Sequence, residues 1–274
     1  TGVRNGGTTL NCQIYDVPNG LLGGGTIRNC NIHHIYTSYD SGTNVLTPPN
    51  GRHANGVYLF GNTDFVGNWV HDVLAAGAPV VFPAAGWNGV NGTALIYNNI
   101  IQGGIHLNGD GLAAANEATW LIYNNMIVAG NAPIVASKKS NNPAGHVHIM
   151  NNVIVSTGTY PCPINLGQTV ADLQIDYNLH YNSSPSQNLV GGQPCVLYLN
   201  WVRRQNLAQT QADGFNLHSV YSPIPLDASW RPTASDDPGV DIGTDLSAFI
   251  TTDFEGVSRP QGAGWDIGPY ELTA

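Results

Sequence analysis

The sequence predicts an all-β protein, a parallel β-solenoid with an irregular C-terminal cap. Short strand-like runs recur along the first two thirds of the 274 residues, separated by Gly, Asn or Pro turns. No run keeps a helical period for more than two turns. The chain holds 30 Asn and 33 Gly, yet only 10% of its residues are charged, against roughly 25% in ordinary soluble domains. Repeated short strands with amide-rich turns are typical of stacked solenoid rungs.

Six segments share a pattern of polar residues next to short apolar runs. They are IRNCNIHHI (27–35), FVGNWVHDV (65–73), LIYNNIIQGG (95–104), LIYNNMIVAG (121–130), HIMNNVIVSTG (148–158) and LQIDYNLHYN (173–182). Aligning the second polar residue of each segment selects Asn31, Asn68, Asn99, Asn125, Asn152 and Asn178. In a solenoid the same repeat position lies about 4.8 Å above its predecessor. We therefore expect these asparagines to pass a side-chain amide hydrogen bond from rung to rung, as an internal ladder.

Five further runs alternate apolar residues with others between the repeats. They are GVYLF (56–60), PVVFP (79–83), GIHLNG (104–109), PIVAS (133–137) and PINLG (163–167). Alternation puts successive side chains of a strand on opposite faces. Ile105 and Leu107 are thus predicted to point into the core. His106 and Asn108 then point outward.

Charge and hydropathy exclude two classes of function. The formal net charge is −9, and the only lysines are Lys138 and Lys139. No basic patch is available to neutralise a phosphate backbone, so the sequence argues against nucleic-acid binding. The longest apolar runs, such as residues 78–85, fall far short of the roughly 18–20 residues that span a bilayer. No membrane span is expected.

The four cysteines form no C-x-x-C pair, so a zinc site is not expected. Cys12 and Cys30 precede equivalent positions of adjacent rungs, which allows either a disulfide or a stack of free thiols. Cys162 and Cys195 would staple the last rung to the tail. We leave both pairings open from the sequence.

Histidines stand at two further places. His33 and His71 follow the repeat by related offsets, so we expect them to stack outside the core, with metal binding as an alternative. His146 and His148 flank Val147 and therefore share one face of their strand.

The x-N-N-x-I-x repeats over residues 8–185 resemble the right-handed parallel β-helix, or pectate-lyase-like, superfamily. The resemblance implies a right-handed solenoid, an extracellular or periplasmic location and a polysaccharide partner. Its motif is specific for the fold and not for an activity. Members usually begin with a capping helix, and the sequence shows none. The first rung is therefore either exposed or covered by a preceding segment or a partner.

Residues 1–185 are expected to form the β-helix rungs. The chain changes character after residue 185, and residues 186–274 are expected to pack on and cap the last rungs within the same domain. The stretch 236–272 resembles the ending of many secreted bacterial β-helix proteins, S-P-A-x-D-x-G, then D-x-x-G-x-x-R-P, then D-I-G-A-Y-E. Pro269 stands where Ala is usual, and Asp236-Asp237-Pro238 where S-P is usual. The matching residues are Asp241, Gly243, Asp253, Gly256, Arg259, Pro260, Asp266, Ile267, Gly268, Tyr270 and Glu271.

Stacking the outward positions of successive rungs predicts one column of functional side chains. The candidates for catalysis are His106, Asp110, Lys138 and Lys139, and those for substrate binding are His53, Tyr58, Trp87 and Asn108. Aromatic rings can stack on sugar rings, amides can bind hydroxyls, and cations can pair with uronate carboxylates. The scarcity of lysine favours a specific role for the lysine pair, with a solvated loop as the alternative. NGDG also fits an ordinary tight turn.

The resemblance implies a protein that binds a polysaccharide and cleaves it as a lyase or a glycosidase. In a lyase a Lys, Arg or His takes the proton next to a carboxylate, which a cation or Ca²⁺ neutralises. A glycosidase needs two carboxylates about 5–9.5 Å apart. The sequence shows neither a paired-carboxylate signature nor a clustered Asp set for calcium. The alternative is a non-catalytic cell-surface, adhesin-like or phage-tail module.

Overall fold

The chain is all-β with long parallel sheets, as the sequence predicts. Within the residues that the structure describes it forms one helix, α1 (Leu207–Ala212), and no helix there is long and apolar enough to cross a membrane. The computed structural model describes residues 3–17, 20–36, 56–74, 81–84, 92–108, 118–130, 132–137, 144–158, 162–166, 170–183, 189–190, 193–200, 202–204, 206–227, 230–233 and 237–272.

The strands fall into three rows, which we call A, B and C. Row A runs in parallel pairs up to an antiparallel hairpin at its end. Its strands are β1 (Val3–Asn5), β4 (Leu21–Arg28), β7 (Val57–Val66), β10 (Val81–Ala84), β13 (Ile105–Asn108), β16 (Ile134–Ser137), β19 (Ile164–Leu166), β24 (Leu197–Leu199) and β25 (Val202–Arg204).

Row B shares β4 and β7 with row A, because these two strands continue from one row into the next. Gly25 (φ 81°) and Gly61 (φ 60°) lie where they do so, and glycine adopts this left-handed conformation without a steric cost. The other strands of row B are β2 (Thr8–Leu10), β11 (Thr93–Tyr97), β14 (Thr119–Tyr123), β17 (Ala144–Met150) and β20 (Val170–Asp176).

Row C is a separate parallel sheet of eight strands. Two short pairs lie outside the rows, β6 (Ile35–Tyr36) with β9 (Val73–Leu74) and β22 (Leu189–Val190) with β23 (Gln193–Pro194). The strands of row C are β3 (Gln13–Ile14), β5 (Asn31–Ile32), β8 (Trp69–Val70), β12 (Ile100–Gln102), β15 (Met126–Ala129), β18 (Val153–Ser156), β21 (Leu179–Asn182) and β26 (Val220–Tyr221).

In the central repeats, consecutive strands of the chain lie in different rows. β13, β14 and β15 belong to rows A, B and C, and β16 then pairs in parallel with β13, with Ile105 opposite Ile134. We call one such passage through the three rows a rung. The arrangement is compatible with a β-solenoid, in which each rung covers the core of its neighbour.

The inward side chains of row A form the core that the alternation predicts. Ile105 and Leu107 are 0% and 1% exposed. The neighbouring strand repeats the pattern with Ile134 and Ala136, both buried. The outward residue His106 is half-buried.

The asparagine ladder is present and buried. Asn125 Nδ2 donates to Asn152 Oδ1 at 3.0 Å and to the carbonyl of Ile96 at 2.9 Å. Its Oδ1 accepts from both the backbone N–H and Nδ2 of Asn99. The same bonds join the predicted members Asn68, Asn99, Asn125, Asn152 and Asn178, and Ser219 Oγ accepts the last backbone N–H at 2.9 Å.

The residue before each ladder position explains why the motif is a double asparagine. It adopts a left-handed backbone, with φ between 49° and 63°, a conformation in which Gly and Asn are enriched. The first residue therefore makes the turn, and the second enters the ladder. The turn residues are Asn11, Asn29, Gly67, Asn98, Asn124, Asn151 and Tyr177.

The placement of Asn31 in this ladder is wrong. Cys30 holds the ladder position in that rung, and its backbone N–H donates to Asn68 Oδ1 at 2.9 Å. Asn31 is the next residue, lies opposite Trp69 and accepts from His71 Nε2 at 2.9 Å. The rung reads Asn-Cys instead of Asn-Asn, so an alignment by polar residues slips by one.

The cysteines differ in state. Cys162 and Cys195 form a disulfide between the turns that lead into β19 and β24. Cys12 and Cys30 are free thiols, and burial raises the pKa of Cys30. They continue the ladder row towards β3, since Cys12 precedes Gln13, which lies opposite Asn31.

The chain after row A has two parts with different positions. Residues 206–221 lie against the last rung, where the Asn216 N–H donates to the Ile175 carbonyl at 2.6 Å and Val220 N–H to Asn178 O at 2.9 Å. Residues 237–272, which we call the strap, run along the side of several rungs. The strap packs Leu246, Ile250 and Trp265 against the outward row-B residues Val66, Tyr97 and Tyr123.

The left-handed asparagines hold the strap. Asn98 Nδ2 donates to Thr252 O at 2.6 Å, and Asn124 Nδ2 donates to two strap carbonyls, those of Asp266 and Gly268. Asn151 exchanges two bonds with the backbone of Thr244, at 2.8 and 2.9 Å. These side chains thus act as a row of hooks for the strap.

The motif residues of the ending stabilise the strap itself. Arg259 and Glu271 form an ion pair at 2.7 Å with both side chains fully buried. Arg259 also donates to the carbonyls of Asp266 and Gly268. Both Asp253 oxygens accept backbone N–H groups. A buried ion pair needs such additional hydrogen bonds to be stable. These motif residues therefore stabilise the fold of the strap.

Asn125→Ala is expected to lower the free energy of unfolding by about 3–5 kcal/mol, because it leaves several buried donors and acceptors without partners. Asn62→Ala is the matched control, since exposed Asn62 makes one bond to the Thr93 N–H, and it should cost about 1 kcal/mol or less. Urea unfolding measures both. Equal losses for the two variants would contradict a structural role for the ladder.

His180 is expected to make the fold sensitive to acid. It is fully buried beside Asn216, and burial lowers its pKa from 6.5 to about 4. The unfolded chain therefore takes up a proton between these values before the folded chain does, and stability falls as pH falls. The loss from this group is about 3 kcal/mol by pH 4. Urea unfolding from pH 7 to pH 4 should show a smaller loss for His180→Gln; an unchanged loss would refute the assignment.

Candidate functional site

The outward residues of row A lie in one line across the strands. Tyr58 is opposite Phe82, and Val81 opposite Ile105 places His106 beside the same strand position. The line continues through the pairs that β16, β19, β24 and β25 make. We call it the row-A face; its described side chains are Tyr58, His106, Val135, Asn165, Tyr198 and Arg203.

The row-A face is long enough to contact an extended ligand along its whole length. Strands repeat at about 4.8 Å, so Tyr58 and His106 lie about 10 Å apart and the six steps from β7 to β25 cover about 29 Å. Arg203 is exposed, whereas His106 and Tyr198 are half-buried. Tyr58 has a second ring beside it, because Phe60 points the same way and their centroids lie 4.8 Å apart.

The structure brings two of the predicted site residues, Tyr58 and His106, into this face. Asn108 lies two residues further along β13, opposite Ser137, the last residue of β16. The other predicted candidates lie outside the described residues: His53, Trp87, Asp110, Lys138 and Lys139.

Four members of the row-A face are not among the sequence candidates: Val135, Asn165, Tyr198 and Arg203. The run PINLG already contained the signal for Asn165, since alternation points it outward between Ile164 and Leu166. Tyr198 and Arg203 join the line only through the hairpin of β24 and β25. The repeat pattern does not predict that the chain reverses direction between β24 and β25.

A second cluster lies on the outward side of row B. His148 Nε2 and His146 Nδ1 both contact Asp172 Oδ2, at 2.8 and 3.2 Å. These hydrogen bonds, first that of His148, lower the pKa of Asp172. Tyr123 OH lies 3.4 Å from His148 Nδ1, and burial raises the pKa of Tyr123 to about 12. The cluster thus joins two imidazoles to one carboxylate oxygen.

The sequence located half of this cluster. His146 and His148 share one strand face, as predicted, with side chains 35% and 20% exposed. Asp172 comes from the next rung and lies directly opposite His146. Within the described part of the chain, no group of three or more His, Cys, Asp or Glu is arranged to hold a metal ion.

The predicted histidine stack is present outside the core. The rings of His33 and His71 lie 5.1 Å apart and nearly parallel, and Tyr15 stacks on His33 at 5.3 Å. Both ring nitrogens of His71 bind side chains, Asp72 Oδ2 and Asn31 Oδ1. Burial lowers the pKa of His33. The three rings thus form an aromatic stack. Both His71 nitrogens already have hydrogen-bond partners within the chain.

The chain matches none of the protein-family models, curated proteins or solved structures with which it was compared. Function therefore has to be inferred from the side chains on the rows.

Proposed function

We propose that this protein is a right-handed parallel β-helix of the pectate-lyase-like type that works outside the cell or in the periplasm and binds an extended polysaccharide along the row-A face. One observation carries the proposal: strands from successive rungs align two tyrosines, an imidazole, an amide and a guanidinium in one register. Aromatic rings offer apolar faces to sugar rings. The polar groups can donate to or accept from hydroxyls.

Within this proposal, cleavage follows a lyase route. None of the described side chains on the row-A face is a carboxylate, and hydrolysis by the usual pathway needs two. His106 can accept the proton next to a uronate carboxylate, and the lysine pair can neutralise that carboxylate. Arg203 lies four strand spacings away, about 19 Å, and can pair with the carboxylate of another sugar of the same polymer. Lys138 and Lys139 follow the end of β16 in sequence, and Asp110 follows β13.

A second candidate function is a non-catalytic glycan-binding or structural surface module. The half-buried Val135 favours it, because it lies between His106 and Asn165 and separates the polar groups of the face. Binding along the face is common to both candidates. Only cleavage distinguishes them.

Tyr198→Ala should weaken polysaccharide binding about tenfold, by removing one aromatic contact of about 1.4 kcal/mol. His106→Gln should keep binding and abolish cleavage. Gln174→Ala, an exposed residue on row B, is the matched control and should change neither. Binding is measured by calorimetry over a panel of uronate and neutral polysaccharides, and cleavage by the ultraviolet absorbance of unsaturated products and by new reducing ends.

The results separate the candidates. Binding without any product over the whole panel would support the non-catalytic module and refute the lyase. Wild-type protein that binds no polysaccharide, or a Tyr198→Ala variant that binds as tightly as the control, would refute the row-A face as the site.

A further inference from the structure

A cleft of about 340 Å³ lies between the turn from row B to row C and the strap. Its inner side is formed by Arg28, Gly67, Tyr97 and Asn98, and its outer side by Phe249 and residues 251–256. Pockets for small ligands are about 300–1,000 Å³. The cleft therefore has room for one small molecule, and it is separate from the row-A face.

The cleft opens where one hook of the strap is missing. Asn98 and Asn124, in successive rungs, bind strap carbonyls through their side chains. Gly67 holds the equivalent turn one rung earlier, at φ 63°. It has no side chain to reach the strap, and a Cβ there would come within 2.7 Å of Asn29 Oδ1. The space beside Gly67 thus arises from the glycine that stands where the repeat has asparagine.

Two residues of the cleft lining each carry a buried side-chain atom that has no hydrogen-bond partner in the described part of the chain. One is an acceptor, Asn98 Oδ1, and the other a donor, Arg28 Nε. Asn98 is only 3% exposed. A buried polar group without a partner costs about 1–3 kcal/mol. A ligand hydroxyl can both accept and donate, so it matches this combination.

The arginine and the two carboxylates that line the cleft all have partners, and Asp253 accepts three backbone N–H groups. The Arg28 guanidinium lies 4.0 Å from Asp64 Oδ2, and Glu255 is paired with Arg231 at 2.8 Å. Burial raises the pKa of Tyr97, which keeps its hydroxyl neutral. No excess positive charge is left for an anion, and a neutral polyhydroxyl ligand fits better.

An aromatic ring completes the site. Phe249 is 47% exposed and is held by Tyr123, with the ring centroids 5.5 Å apart. A supported ring at the mouth of a polar cleft can take the apolar face of a pyranose.

We propose that this cleft binds a single neutral sugar residue, such as the terminus or a side branch of a glycan. The sugar hydroxyls would hydrogen-bond to the side chains of Arg28 and Asn98, and the sugar ring would lie on Phe249. The site is independent of the proposed row-A face and holds a ligand whether or not that face binds a polymer.

The test uses the full chain and a panel of methyl pyranosides with glucuronate as the acidic member, followed by saturation-transfer NMR and titration. We expect a neutral pyranoside to bind. Arg28→Lys, which keeps the charge and removes the Nε donor, and Phe249→Leu, which keeps apolar volume and removes the ring, should each weaken binding about tenfold. Tyr15→Leu, an equally exposed aromatic outside the cleft, should bind as wild type does.

Three results would overturn the proposal: no binding by any pyranoside, binding by glucuronate alone, or unchanged affinity in both cleft variants. Tyr198→Ala, which removes an aromatic contact of the proposed row-A face, should retain the part of pyranoside binding that Arg28→Lys and Phe249→Leu weaken. Loss of pyranoside binding in that variant would place the sugar on the row-A face and also refute the cleft. If no polysaccharide binds the row-A face, the proposed function is refuted, and pyranoside binding still decides whether the cleft is a sugar site.

Discussion

The buried asparagine ladder is the interaction on which the rest of this structure depends. Each ladder side chain bonds the amide of its neighbour and a backbone carbonyl of the preceding rung, so adjacent rungs can stack in only one register. A slip of one residue would put core side chains outside. The ladder therefore also determines which residues share the row-A face, since His106 and Asn165 line up only because their rungs are in register. Its buried amides are fully used, which is what an apolar interior requires of a polar group.

The residue before the ladder connects the repeats to the strap. Its left-handed turn points the side chain outward, and three of these asparagines bind strap backbone. The strap in turn covers outward tyrosines of row B. In a double asparagine, the second residue thus joins the ladder inside the rungs, and the first binds the strap outside them. Where the first residue is glycine, at Gly67, the outside contact is lost and a cleft appears.

The sequence predicted what depends on local alternation and on repetition. The strands of row A, their inward residues, the ladder from Asn68 onward and the His33–His71 stack follow from spacing and side-chain period. The exception at Asn31 arose where Cys30 replaced an amide and hid the register. The sequence does not predict which residues tertiary contacts bring together. Asp172 contacts His146 from the next rung, and Arg203 lies beside Tyr198 because of the β24–β25 hairpin. The ending is visible in the sequence as a motif, but its ion pair and its position along the side of the rungs depend on contacts between distant segments.

The scarcity of charge follows from the same stacking. Like charges at equivalent positions of adjacent strands repel each other, so a repeat that carried a charge would carry it in every rung. Two charges on the described rows break the repetition and have a side-chain partner on the adjacent strand: Arg28 lies beside Asp64, and Asp172 is hydrogen-bonded to two imidazoles. Arg203 is placed at the end of row A, where it has one strand neighbour in place of two. In a fold that repeats its side chains for stability, the positions that depart from the repeat are those available for function.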